Sequence, residues 1–146
     1  MSTESRPHPP SHETDPPVSS RSPMDPIPVV VLDADAGSRL QWSRMLAEVP
    51  GIELAGATGL VGEAIQLIRN RHPRVIILDP ILPDWNAATV IHALRLWAPA
   101  SLLLIATIPL TTEPAPRLLQ AGATHYFDKR TDITRAMSVL VEIQDR

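Results

Sequence analysis

From Ile27 onward, short apolar runs alternate with longer stretches in which apolar residues recur at helical spacing. The runs VVVL, VIIL and LLLIA are continuous Val, Ile, Leu and Ala rather than alternating apolar and polar. Such runs mark strands of a parallel sheet buried on both faces. They predict strands over residues 29–32, 75–78 and 102–106, and weaker segments at 52–57 and 125–128 bring the number to five. Between them the spacing predicts helices over about 37–49, 61–71, 87–98, 115–121 and 132–144. In the first helix, Leu40, Met45, Leu46 and Val49 form the expected apolar side. Pro50 with Gly51, His72 with Pro73, and Pro99 supply the first three stops. Pro109, Pro114 and Pro116 confine the fourth helix, because proline is tolerated only in a first turn. Gly122 closes it. Five strands alternating with five helices predict right-handed βαβ units in a three-layer α/β sandwich.

Residues 1–26 break this pattern. They are rich in Pro, Ser and Thr and nearly free of aliphatic side chains, so they are expected to form a disordered tail with polyproline II character. Residues 27–146 are the expected domain. A Pro-rich stretch can dock an aromatic groove, but a solvated leader is the simpler expectation, and His8 and His12 within it are read as inert.

Composition narrows the function classes. The net charge of −3 and the scattered arginines leave no basic footprint, so direct nucleic-acid binding is not expected. The absence of cysteine removes disulfides, thiolate metal sites and thiol nucleophiles and fits a reducing compartment. There is no apolar stretch of membrane-spanning length and no signal-peptide core, so a cytoplasmic protein is expected.

The chemistry lies at the strand ends. The first and third strands run into Asp33 and Asp79, the fourth into Thr107, and the fifth into Lys129, the single lysine of the chain. Open parallel sheets bind ligands beyond the carboxyl ends of their strands, so these four groups are expected to meet. Asp79 reads as a nucleophile toward phosphorus, because the PILP loop after it leaves its side chain in an open mouth. Asp33 would help hold a divalent cation, Lys129 would pair with the phosphoryl group, and Thr107 would hydrogen-bond it.

With these residues in place the chain resembles a response-regulator receiver domain over about residues 28–143. The intervals from Asp33 to Asp79, Thr107 and Lys129 match the subfamily that usually carries a helix-turn-helix output domain. LDPILPDWNA and AGATHYFDK resemble the family's acceptor-loop and lysine motifs. The resemblance implies a flavodoxin-like, doubly wound five-stranded parallel sheet of order 2-1-3-4-5. It implies phosphorylation of Asp79 by a histidine kinase or phosphotransfer protein within a two-component phosphorelay. It also implies Mg²⁺ held by Asp33, Asp79 and the backbone carbonyl of Ile81. Tyr126 would be the switch aromatic coupled to Thr107, reshaping the face of the fourth helix, fifth strand and fifth helix toward a downstream protein target or a homodimer.

Four departures carry weight. The family's second acid is Ala34, which is expected to weaken Mg²⁺ binding, and Asp35 could substitute only if the loop shifted. The family glycine after the acceptor loop is Ala87, and Arg130 follows the lysine. The proline-studded fourth-helix region is the most altered part. These changes support a second reading, a pseudo-receiver that acts as an interaction module without phosphorylation. A third reading is a phosphatase, because VLDADAG resembles the nucleophile motif of haloacid-dehalogenase-like enzymes. It requires a further acid after the lysine, where Asp132 is nearest, and the expectation is that the chain is not an enzyme. Trp42 and Trp97 are read as packing residues, Trp85 as a shield, kinase contact or loop anchor near the acceptor, and Asp84, Glu53, Glu63 and Glu142 as surface charges. His72 and His92 carry no metal-ligand spacing, and His125, before Tyr126 in the last strand, is read as an exposed or satisfied histidine rather than a functional one.

Overall fold

A computed structural model describes residues 25–108 and 114–144. The expected tail therefore lies almost wholly outside the described residues, as do Pro109 and the segment before Pro114. Ten elements alternate: β1 (Ile27–Leu32), α1 (Ala36–Ala47), β2 (Ile52–Thr58), α2 (Val61–Arg71), β3 (Val75–Leu78), α3 (Ala87–Trp97), β4 (Leu102–Thr107), α4 (Ala115–Ala121), β5 (His125–Asp128) and α5 (Ile133–Gln144). The five strands pair in parallel in the order β2-β1-β3-β4-β5, the doubly wound arrangement that was expected.

Alternating side chains divide the core between the two sheet faces. Leu32, Ile76, Leu78, Leu103 and Ile105 pack with Val61, Ala64 and Ile68 of α2, Val90, Ile91 and Leu94 of α3, and Leu118 of α4. Val29, Val31, Val75, Ile77, Leu104 and Phe127 pack with Trp42 and Leu46 of α1 and Ala136, Leu140 and Ile143 of α5. Every residue of β1 and β3 is buried, which is why those runs have no polar alternation.

The apolar side of α1 differs from expectation. Trp42 and Leu46, one turn apart, are the buried pair, whereas Leu40 falls on the far side and is 52% exposed. Trp97 is half exposed at the end of α3, with the Arg69 guanidinium 4.8 Å from its ring centroid.

Gly122 ends α4 at φ 131°, and a Cβ there would press against Arg95 Cγ at 3.0 Å, so both backbone and space call for glycine. Arg95 fastens the turn from the other side. It donates to the carbonyls of Gly122 (2.8 Å), Ser101 (2.5 Å) and Ala98 (3.1 Å) and to Thr124 Oγ1 (3.1 Å). One guanidinium thus ties the end of α3 to the entries of β4 and β5.

Candidate functional site

Each strand delivers its polar residue to the same rim through the ladder itself. Asp33 N–H bonds Thr58 O across β1 and β2, Asp79 N–H bonds Leu32 O, and Lys129 N–H bonds Thr107 O. Asp33, Asp79 and Thr107 are 2%, 7% and 0% exposed. Buried polar groups need partners, and these supply one another. Lys129 Nζ lies 2.6 Å from Asp79 Oδ2 and 2.8 Å from Asp33 Oδ2. Thr107 Oγ1 donates to Asp79 Oδ1 at 2.8 Å, and the Ile81 N–H donates to the same oxygen at 3.0 Å. Asp33 Oδ1 accepts from the Asp35 N–H at 2.8 Å. The four groups named from the sequence do converge.

The electrostatics are those of two carboxylates sharing one ammonium. Burial pushes the Asp33 carboxyl above its ordinary range, opposed by its hydrogen bond from Lys129. Burial also works against the Lys129 charge, but the hydrogen bonds and charges of Asp33 and Asp79 outweigh it and raise its pKa. Tyr126 is half buried against the α2/α3/α4 core, and its hydroxyl is pushed up by burial and by the charges of Asp128 and Asp79.

Other candidates fall differently. Asp35 is the N-cap of α1, and its Oδ2 accepts from the Ser38 N–H at 2.8 Å. Cap duty and exposure take that carboxylate away from the acidic pair. Ile81 reaches the site through its N–H. Ala34 is exposed and brings no side-chain oxygen. Asp132, the acid required by the phosphatase reading, spends its carboxylate on the Asp128 N–H at 3.0 Å. Among the described residues no group of three His, Cys, Asp or Glu side chains gathers to hold a metal ion.

Beside the acids opens a cleft of about 600 Å³ between the loops after β1, β2 and β3. Arg39, Gly59, Leu60, Glu63, Asp84 and Trp85 are among its lining residues. Leu82 to Trp85 is a tight turn closed by the Trp85 N–H on Leu82 O, with Pro83 second and Asp84 at φ 68° third. Those are the positions a type II turn gives to proline and to a left-handed residue. The turn leaves Trp85 47% exposed on the cleft wall. Glu63 is exposed, as its reading as a surface charge implied, and it also accepts from Thr58 Oγ1 at 2.5 Å.

Two contributors escaped the sequence reading. Ser38 Oγ lies 3.1 Å from Lys129 Nζ, and Arg39 Nη1 donates to the Asp33 carbonyl at 2.7 Å. Gly59 leaves room for that guanidinium, because a Cβ there would lie 2.9 Å from Arg39 Nη1. Both residues sit in the first turn of α1, and the Asp35 cap three residues before Ser38 was the available signal.

No protein-family model matches the chain. The signal receiver domain of a putative NarL response regulator from Mycobacterium tuberculosis is 25% identical, with a TM-score of 0.69 over 83% of this chain and 98% of that one. That likeness covers nearly the whole of that domain. In its fold the chain matches the response-regulator receiver domains. A LuxR-family response regulator from Aurantimonas sp. SI85-9A1 shares the receiver fold at a TM-score of 0.73 and 23% identity, covering 83% of this chain and 86% of that one. Among curated proteins, a protein-glutamate methylesterase/protein-glutamine glutaminase of Anaeromyxobacter dehalogenans is 32% identical over 105 residues, 71% of this chain and 29% of that protein. Across eight curated relatives the matched part spans 23% to 52% of their length. Receiver domains generally bind Mg²⁺ at the phosphorylation site. No helix among the described residues is long and apolar enough to cross a membrane.

Proposed function

We propose that this receiver domain accepts a phosphoryl group on Asp79 from a histidine kinase or phosphotransfer protein and passes the signal to a downstream protein target in the cytoplasm. The observation that carries the reading is the hydrogen bonding of Asp79. One oxygen faces the Lys129 ammonium, and the other takes the Thr107 hydroxyl and the Ile81 N–H. In the transfer, a carboxylate oxygen of Asp79 forms the new bond to phosphorus. The bond from phosphorus to the donor's nitrogen or acyl oxygen breaks, and the leaving group keeps that electron pair. Lys129 offsets charge on the phosphoryl oxygens, and Thr107 is placed to hydrogen-bond one of them. Apolar Leu60, Ile81 and Trp85, exposed around the cleft and acceptor loop, suit docking of a partner that carries the phosphoryl group.

The donor set fits Mg²⁺ only thinly. Asp33, Asp79 and the Ile81 carbonyl would hold it, with waters completing the shell, since one or two carboxylates suffice for this ion. When bound it supplies positive charge beside the phosphoryl oxygens. Ala34 withholds a third acid, and Lys129 already neutralises part of the pair, so weak affinity is the reading that follows. No turnover of a separate substrate is assigned to the chain. Tyr126, half buried and coupled by charge to Asp79, is the proposed switch aromatic.

A phosphorylation-independent interaction module is the second reading, favoured by Ala34 and by a Lys129 already saturated with partners. Intact-mass measurement after incubation with Mg²⁺ and acetyl phosphate separates the two. One phosphate-mass adduct, absent in Asp79→Asn, supports the first; no adduct at any donor concentration supports the second.

A further inference from the structure

A lysine ammonium has three protons to donate. Those of Lys129 face three oxygens: Asp79 Oδ2 at 2.6 Å, Asp33 Oδ2 at 2.8 Å and Ser38 Oγ at 3.1 Å. We propose that Ser38 is a positioning residue for Lys129, its hydroxyl taking the third ammonium proton and holding the charge between the two carboxylates. The claim about geometry stands by itself; its consequence for catalysis rests on Asp79 being the phosphoacceptor.

Local structure fixes where the hydroxyl points. Asp35 caps α1 and binds the Ser38 N–H, which pins the backbone of the first turn. From that turn Ser38 reaches a lysine 91 positions away in sequence, just beyond β5.

The chemical type of the contact matters. Both carboxylates change during the proposed reaction. The Asp79 carboxylate loses its charge on phosphorylation, and Asp33 is shared with any cation that binds. Ser38 is neutral before and after, so its hold on the ammonium survives each step. A carboxylate at this position would draw Lys129 off the pair, and an alanine would turn one N–H toward water. Serine holds the ammonium without adding charge to a site that already has two acids for one base.

The single lysine makes this directly measurable, because its side chain gives one Nζ resonance in ¹⁵N-labelled protein. Ser38→Ala retains the backbone N–H that Asp35 caps, so the helix start is preserved. In Ser38→Ala, exchange of the Lys129 ammonium protons with solvent is expected to rise about tenfold or more, the scale of one hydrogen bond to a charged group. Ser38→Thr, which keeps a hydroxyl, is expected to restore the slow exchange. The initial rate of adduct formation at saturating acetyl phosphate is expected to fall by a similar factor in Ser38→Ala and to recover in Ser38→Thr. Unchanged ammonium exchange in Ser38→Ala overturns the proposal, whatever the adduct does. Faster exchange in a protein that never takes a phosphoryl group leaves the positioning role standing and removes the phosphoacceptor reading alone.

Discussion

Lys129 is the residue on which the site's charge balance turns. Its side chain is almost wholly enclosed and stands between two carboxylates that are themselves buried. Removing one partner of a buried ionic cluster leaves the others uncompensated and costs about 3–5 kcal/mol. Lys129→Met is therefore expected to lower the urea-unfolding free energy by that order, and adding Asp33→Asn is expected to recover part of it, because one buried charge disappears. Additive losses in the double variant would contradict the shared-ammonium arrangement. The pH dependence has a defined sign. The folded pKa of Lys129 is raised, so its contribution is whole below the ordinary lysine value and is lost as pH rises through the raised one. The folded pKa of Asp33 is also raised, so stability falls as pH climbs from the ordinary carboxylate value through the raised one, and Asp33→Asn should flatten that acid limb. Ala34 bears on the same balance from the metal side. Ala34→Asp adds an oxygen donor next to Asp33, and Mg²⁺ affinity measured by titration calorimetry is expected to rise about tenfold or more. An unchanged affinity would show that the missing acid is not what weakens the site.

At the scale of elements, Arg95 shows how loops are held so that strand ends keep their register. It engages four acceptors, one just past α3, one just before β4 and two in the turn before β5. Arg95→Ala is expected to cost about 2–3 kcal/mol in thermal or urea unfolding, as hydrogen bonds to a charged group do. Arg95→Lys is expected to recover little, because an ammonium lacks the planar fork. That fastening was invisible in the sequence, where an arginine in a helix reads as a surface charge. The elements themselves were legible. α2, β3, α4 and β5 start and stop where the breakers and apolar runs placed them. Proline and glycine act through a residue's own backbone, so local sequence suffices for boundaries. Facing is decided by the neighbours instead. Leu40 and Trp42 are both apolar within one helix, and only packing against β1 and α5 selects Trp42 for the core.

The whole molecule turns a one-dimensional pattern into a site because a parallel sheet brings every strand's carboxyl end to one rim. Asp33, Asp79, Thr107 and Lys129 are far apart in sequence, yet strand order 2-1-3-4-5 makes β1 and β3 neighbours and sets β4 and β5 beside them. The convergence was therefore readable from four strand ends and one topology. Ser38 and Arg39 were not, since they come from a helix start whose rotation about its axis depends on the Asp35 cap and the core below. The same architecture leaves the Asp79 mouth beside a cleft open to a partner. The most direct test of Asp79 as phosphoacceptor is borohydride reduction after incubation with acetyl phosphate and Mg²⁺, followed by peptide mass mapping. An aspartyl phosphate is reduced to homoserine, so homoserine is expected at position 79 and is expected to be absent without donor. Homoserine at another aspartate, or unmodified aspartate at 79 under saturating donor, would contradict the assignment.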